Sequence, residues 1–132
     1  MTRGILDTSV VIASLDPSDV ETSLPDEAAV SVATIAELHY GVLVARDEAT
    51  RSLRLARLGA VESTFQALPI DAGIARAFVR LAHQVKRTGR QPRARVMDLW
   101  IAATALVCSV PLYTRNATDF RGLDEMIEIR VV

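Results

Sequence analysis

Short apolar segments alternate along the chain with longer segments whose apolar residues recur every three or four positions. Residues 3–7 are mostly apolar and end on an acid, Asp7, while residues 28–32 form a second short apolar run. The three-to-four spacing in the longer segments is the period of a helix with one buried face. The predicted strands are 3–7, 28–32, 68–70, 111–114 and 126–131. The predicted helices are 8–15, 34–46, 48–66, 71–88 and 96–108, and the predicted loops are 16–27, 89–95 and 115–123.

Strands that alternate with helices predict an α/β fold with a mostly parallel sheet. A chain of 132 residues is the size of one domain, so we expect a single domain over residues 1–132. Ligands of open parallel sheets bind beyond the carboxyl ends of the strands. Asp7 and the loop that carries Asp119 both follow predicted strands, which predicts two acidic positions on one rim.

The composition narrows the class of protein. Half of the residues are hydrophobic, which excludes a disordered chain, and the single cysteine excludes an internal disulfide. The chain has no stretch typical of a targeting segment or of a membrane span. We therefore expect a cytoplasmic protein with no membrane partner.

Charge is distributed unevenly although the net charge is only −1. Residues 72–97 contain seven basic residues and no acid, and the rest of the chain contains eight basic and sixteen acidic residues. In the predicted helix 71–88 the basic positions lie opposite an apolar stripe. This pattern indicates either a face that binds a polyanion or an ordinary solvated helix face. The stripe is formed by Ile74, Phe78, Leu81 and Val85.

Four acids lie beside apolar elements, and each has a purely structural interpretation. Asp7 suits a helix N-cap, with Thr8 or Ser9 as the other candidates, and Thr34 with Glu37 matches a capping box. Asp98 suits the first turn of a helix and Asp119 suits a turn. Clustered without lysine partners they would repel one another, and the chain has a single lysine, Lys86. A hard divalent cation such as Mg²⁺ or Mn²⁺ relieves that repulsion.

The helix that contains Glu37 is apolar on more than one side. A helix of this kind packs on its own sheet and also on a second subunit. The pattern therefore indicates a homodimer.

The segments "ILDTSVVIA", "TIAELHYGV", "DLWIAATAL" and "TRNATDF" occur in this order, and each contains one of the four acids. This arrangement resembles the PIN-domain family, and within it the VapC-type toxins of bacterial toxin–antitoxin pairs. The resemblance extends from about residue 4 to the C-terminus.

The resemblance implies a three-layer α/β/α sandwich around a sheet of four or five strands. It implies a ribonuclease that depends on Mg²⁺ or Mn²⁺, acts on RNA and is held inactive by an antitoxin protein. Carried over to this sequence, it assigns catalysis and metal binding to the four acids. It also assigns supporting polar roles to Thr8, Thr114 and Asn116. Trp100 departs from the family pattern, in which smaller aliphatic residues are usual, and we expect it to affect packing near the site. The catalytic and metal-binding acids are Asp7, Glu37, Asp98 and Asp119.

On this interpretation the basic residues contact RNA phosphates, which position RNA without reading its sequence. Unpaired RNA is the expected target, because its bases are accessible. The predicted RNA-binding residues are Arg76, Arg80, Arg87, Arg90, Arg93 and Arg95.

Other functions fit the sequence less well. A haloacid-dehalogenase-like phosphatase needs a second acid two residues after the first, where this chain has Ser9, and a lysine at a later strand end. A receiver domain also lacks that lysine, and no glycine-rich dinucleotide motif occurs. The remaining alternative is a PIN-like module that binds RNA or protein without cutting it.

Overall fold

The computed structural model describes residues 1–15 and 23–132, and this part of the chain contains five strands and five α-helices. The strands are β1 (Arg3–Leu6), β2 (Glu27–Ser31), β3 (Gln66–Leu68), β4 (Leu112–Thr114) and β5 (Ile129–Val131). The helices are α1 (Thr8–Ser14), α2 (Val32–Leu43), α3 (Glu48–Thr64), α4 (Ala72–Arg87) and α5 (Val96–Cys108). Two short 3-10 helices lie at Pro92–Arg95 and Ala117–Phe120.

The five strands form one parallel sheet in the order β3-β2-β1-β4-β5. From the central strand β1 the chain first builds outward through β2 and β3. It then returns to the other side of β1 and continues through β4 and β5. The strand order therefore reverses between β1 and β4, and the carboxyl ends of these two strands form the crevice where such sheets bind ligands.

Successive residues of a strand point to opposite faces of the sheet, and helices cover both faces. Ile5 and Leu112 face a core that includes buried residues of α4 and α5. Leu6 and Tyr113 face a second core with Val10 of α1. This arrangement confirms the predicted three-layer α/β/α sandwich with a parallel sheet.

Three strands (β1, β2 and β4) differ from their predicted ranges by at most one residue at either end, whereas β3 and β5 differ by more. β3 ends at Leu68 rather than at residue 70, because Pro69 has no amide hydrogen to continue the ladder. β5 begins at Ile129 rather than at Met126. The amides of Met126 and Ile127 instead donate to the carbonyl of Leu123, at 2.9 and 3.0 Å, and close a turn.

The loops contain more structure than was predicted. The predicted loops 89–95 and 115–123 each contain one of the two 3-10 helices. Most of the predicted loop 16–27, namely residues 16–22, lies outside the described residues, and Glu27 already belongs to β2. Within the described ranges, every helix is too short or too polar to cross a membrane.

Candidate active site

Asp7 follows the last residue of β1 and is the N-cap of α1. Its Oδ1 accepts hydrogen bonds from the backbone N of Val10 (3.1 Å) and from the Ser9 hydroxyl (2.6 Å). Its Oδ2 accepts from the Thr114 hydroxyl of β4 (2.5 Å). The side chain is buried, and these three donors offset the cost of removing a carboxylate from water. Of the three predicted N-cap candidates, Asp7 rather than Thr8 or Ser9 therefore caps the helix, and it also lies at the β1–β4 crevice.

Glu37 reaches the same edge from α2. Its Oε1 accepts a hydrogen bond of 2.7 Å from the Thr8 hydroxyl, which also lies 3.1 Å from the hydroxyl of Thr34. The predicted capping box of Thr34 and Glu37 is wrong. The N-cap of α2 is Ser31, whose hydroxyl accepts from the amide of Ala33 at 3.0 Å, so α2 starts two residues earlier than predicted. Thr34 therefore lies inside the helix, and Glu37 contacts α1 rather than its own helix terminus.

Asp98 and Asp119 lie on different elements but share one basic partner. Asp98 is in the first turn of α5, and Asp119 is in the 3-10 helix Ala117–Phe120 that follows β4. A guanidinium nitrogen of Arg95 lies 3.0 Å from Oδ1 of Asp119 and 3.8 Å from Oδ2 of Asp98. About 30% of each acid side chain is exposed, so this pair is open to solvent while Asp7 is not.

The pKa of Asp98 shows that the four acids form one electrostatic group. Partial burial, followed by the charges of Asp119 and Glu37, raises the pKa of Asp98 from 3.8 to about 6. Arg95 opposes the rise, and Asp7 adds a smaller contribution to it. The other three acids therefore lie near enough for their charges to act on Asp98, which agrees with the predicted shared edge.

Oxygen-only donors with an excess of negative charge are the chemistry that Mg²⁺ and Mn²⁺ prefer. The four carboxylates fit a divalent cation in this respect. In the described ranges, however, no three acidic, histidine or cysteine side chains converge closely enough to hold a metal ion as they stand. The acids are neighbours, but Arg95 occupies the position between two of them.

The supporting polar residues act in different ways. The Thr114 hydroxyl is buried, donates to Asp7 and accepts from the backbone N of Asn116 at 2.9 Å. Asn116 has an exposed side chain and supports the site through that amide. Sequence reasoning missed Ser9, whose hydroxyl donates to Asp7 and accepts from the backbone N of Arg115 at 3.3 Å. Its position two residues after an acid at a helix start was the available signal.

The predicted RNA-binding arginines are not all brought together. Arg90 donates to the carbonyls of Thr118 and Arg121 at 3.3 Å each, so the C-terminal end of α4 lies beside the loop of Asp119. Arg87 is exposed at this end, whereas Arg76 is eleven residues away, or about 17 Å along the helix axis. Arg80 is exposed between them, Arg93 is exposed in the 3-10 helix, and Arg95 contacts the acids.

Trp100 has a packing role. Its ring stacks on that of Phe78 with centroids 4.0 Å apart and joins α5 to α4. This contact lies two residues after Asp98 in the same helix. The larger side chain is therefore accommodated between the two helices.

Residues 4–125 match the PIN domain family. The match spans most of the chain and includes all four acids. The chain therefore belongs to the PIN-domain family.

Similarity to individual proteins points to one group within that family. The chain is 39% identical to ribonuclease VapC5 of Mycobacterium tuberculosis, over 98% of this chain and 93% of the relative. It is 38% identical to ribonuclease VapC8 of the same species, over 77% of this chain and 89% of the relative. It also superimposes on a chain of the VapBC-5 toxin–antitoxin structure from M. tuberculosis with a TM-score of 0.85 and 41% identity, over the full length of both chains. The predicted resemblance to VapC-type proteins is confirmed.

Proposed function

We propose that this protein is a ribonuclease that acts as the toxin of a toxin–antitoxin pair in the cytoplasm. The observation that supports this most strongly is the group of four acids at the β1–β4 crevice of a PIN-domain fold. Both relatives described above are named as ribonucleases. A polar, acid-lined edge with no glycine-rich phosphate loop suits phosphodiester hydrolysis better than nucleotide binding.

Mg²⁺ or Mn²⁺ is the proposed cofactor, held by Asp7, Glu37, Asp98 and Asp119. A bound divalent cation supplies an activated water near neutral pH and polarises the phosphoryl oxygen. Neighbouring hydroxyl groups hold two of these carboxylates in position. The hydroxyls of Thr114 and Ser9 hold the Asp7 carboxylate, and the Thr8 hydroxyl holds Glu37.

The proposed substrate is unpaired RNA, bound through its phosphates. A cleft of about 280 Å³ between α2 and the start of α5 is lined by Glu37, Asp98, Arg93 and Arg95. It combines two of the acids with two basic residues. Arg93 is exposed and lines this cleft, and Arg87 is exposed at the end of α4, which lies beside the loop of Asp119; both suit phosphate contacts.

The proposed protein partners are an antitoxin and a second copy of the chain. Tyr40 and Leu43 of α2 are about two-thirds exposed, and Val44 and Ile12 are also exposed. An exposed apolar surface of this kind on a soluble fold indicates a protein interface. VapBC complexes from several bacteria share the fold of this chain, which agrees with an antitoxin partner.

Cleavage of a structured RNA by the purified protein tests the proposal. We expect Asp7→Asn and Asp98→Asn to lower the cleavage rate at least ~100-fold, because each removes a charged ligand from the site. Asp124→Asn is the matched control, because Asp124 is an exposed acid in a turn. EDTA should abolish cleavage by the wild type, and Mn²⁺ should restore it.

Equal cleavage by all four proteins would contradict the assignment of the site. RNA binding without cleavage by the wild type in Mn²⁺ would favour the non-cutting PIN-like module. Cleavage that persists in EDTA would contradict the metal-dependent mechanism but not the ribonuclease activity.

A further inference from the structure

Arg95 contacts the acidic edge in a way that RNA binding alone does not explain. It is the last residue of the 3-10 helix Pro92–Arg95 and the residue immediately before α5. One of its guanidinium nitrogens lies within 4 Å of carboxylate oxygens of both Asp98 and Asp119. The contact to Asp119, at 3.0 Å, is a charge-assisted hydrogen bond.

A cation shared by Asp98 and Asp119 would bind oxygens of both acids, and a guanidinium nitrogen of Arg95 already lies near oxygens of both. A divalent cation such as Mg²⁺ binds carboxylate oxygens at about 2.0–2.1 Å, and a guanidinium at hydrogen-bond distance from the same oxygen occupies one of its lone pairs and weakens that binding. Two cations so close together repel one another, and each oxygen has a limited number of free lone pairs. Arg95 and a metal therefore compete for Asp119 and Asp98.

The neighbouring arginine does not share this arrangement. Arg93 lies two residues earlier in the same 3-10 helix and is exposed. Its side chain makes no ion pair with an acid of the described ranges, whereas Arg95 is partly buried and pairs with two. The difference between the two residues is one of placement, since they have the same charge and lie in the same turn.

We propose that Arg95 is an internal counter-ion of the metal-free protein and that a divalent cation must displace it to assemble the site. This inference rests on the proposed metal-dependent function. It accounts for the absence of a ready three-ligand site in the described ranges although four acids share one edge. On this view Arg95 lowers the affinity for metal, because it must leave Asp98 and Asp119 before these acids can share a cation with the other two.

Mn²⁺ binding to the metal-free, full-length protein tests the inference without reference to activity. The free ion gives a characteristic electron paramagnetic resonance signal that diminishes on binding, so the dissociation constant can be titrated. We expect Arg95→Ala to bind Mn²⁺ about tenfold more tightly than the wild type, because the competing cation is gone. Arg93→Ala should stay within about twofold of the wild type, and Arg95→Lys should retain most of the competition.

Arg95→Gln, which keeps much of the side-chain length, should also bind more tightly, and circular dichroism establishes that each variant is folded. Unchanged or weaker binding in both Arg95→Ala and Arg95→Gln would overturn the inference. An equal gain in Mn²⁺ affinity in Arg93→Ala would also overturn the inference, since the change in net charge alone would then explain the effect. If the wild type binds Mn²⁺ and Asp98→Ala does not, a failure of the Arg95 variants leaves the proposed function standing. Absence of Mn²⁺ binding in every protein would overturn both.

Discussion

The charge on Asp98 should make the metal-free protein less stable, and its removal should be stabilising. The side chain is about one-quarter exposed, and its pKa is raised from 3.8 to about 6 by burial and by the charges of Asp119 and Glu37. A pKa raised on folding means that the folded protein binds a proton more readily than the unfolded chain. The folded carboxylate is therefore unfavourable at pH values above 6.

The size of the effect follows from the two pKa values. A difference of about 2 corresponds to ~3 kcal/mol at high pH. Solvent screening of a partly exposed group reduces this to about 2 kcal/mol. Asp98→Asn also removes an acid from the first turn of α5, which costs roughly 0.5 kcal/mol of helix-dipole stabilisation. We expect Asp98→Asn to raise the free energy of unfolding by about 1–2 kcal/mol at pH 8.

The pH dependence gives the sharper test. The cost of the charged carboxylate is fully present above pH 6, shrinks between pH 6 and 4, and is absent below the unfolded value. The advantage of Asp98→Asn should therefore fall by about half between pH 8 and pH 5. The measurement is urea unfolding in EDTA at both pH values, with Asp124→Asn as the exposed-acid control. A variant that is less stable than the wild type at pH 8, or whose advantage does not change with pH, would refute this reasoning.

Two further predictions concern packing and RNA binding. Gly4→Ala should lower the free energy of unfolding by about 2–3 kcal/mol in urea denaturation, because its Cβ would lie 2.3 Å from Cε1 of Tyr113 in the central strands. Gly59→Ala in α3 should raise the free energy of unfolding by about 0.5–1 kcal/mol, since nothing lies within 4 Å of the new methyl. A stabilising Gly4→Ala together with a destabilising Gly59→Ala would contradict this account of the packing. Arg87→Ala should weaken binding to single-stranded RNA and reduce the slope of log K against log salt by about 0.7, with a smaller effect for Arg76→Ala at the far end of α4. Equal effects of the two substitutions would indicate a diffuse basic face rather than a site near the acids.

The order of the elements and the shared edge of the acids could be predicted because both follow from local pattern. Hydrophobic periodicity identifies the elements, and parallel strands bring their carboxyl ends to one edge of the sheet. The bounds of α5, Val96–Cys108, agree with the prediction. The last ten residues of α5 carry no charge, and an apolar segment of this length is too long for a typical strand, so a buried helix is the clear prediction.

The start of α2 could not be predicted from local pattern. Thr34 and Glu37 have the spacing of a capping box, and Ser31 has no such partner. Tertiary contacts decide the outcome, because Glu37 and Thr34 meet Thr8 across the interface between α1 and α2. Sequence alone does not reveal that Thr8 lies there.

The role of Arg95 was hidden for a different reason. In the sequence it is one of seven basic residues in a segment without acids, and it shares with the other five arginines of that segment the predicted role of contacting RNA phosphates. Arg93 and Arg95 of the 3-10 helix Pro92–Arg95 both line the cleft with Glu37 and Asp98, but of the two only Arg95 forms ion pairs with the acids of the described ranges. The charge and periodicity of the sequence do not reveal which way a side chain points when one short turn sets its direction.

The donors to the four acids divide the site into two halves. Asp7 and Glu37 accept hydrogen bonds from neutral hydroxyls and, for Asp7, from an amide, and most of these donors belong to strand ends or helix starts. Neutral donors can remain while other lone pairs of the same carboxylate bind a cation. Asp98 and Asp119 instead share a charged partner on a long, flexible side chain, which we expect a cation to displace. Metal binding should therefore leave the Asp7 and Glu37 contacts in place and rearrange the Asp98–Arg95–Asp119 contacts, so that the fold holds half of the site in advance and the metal assembles the other half.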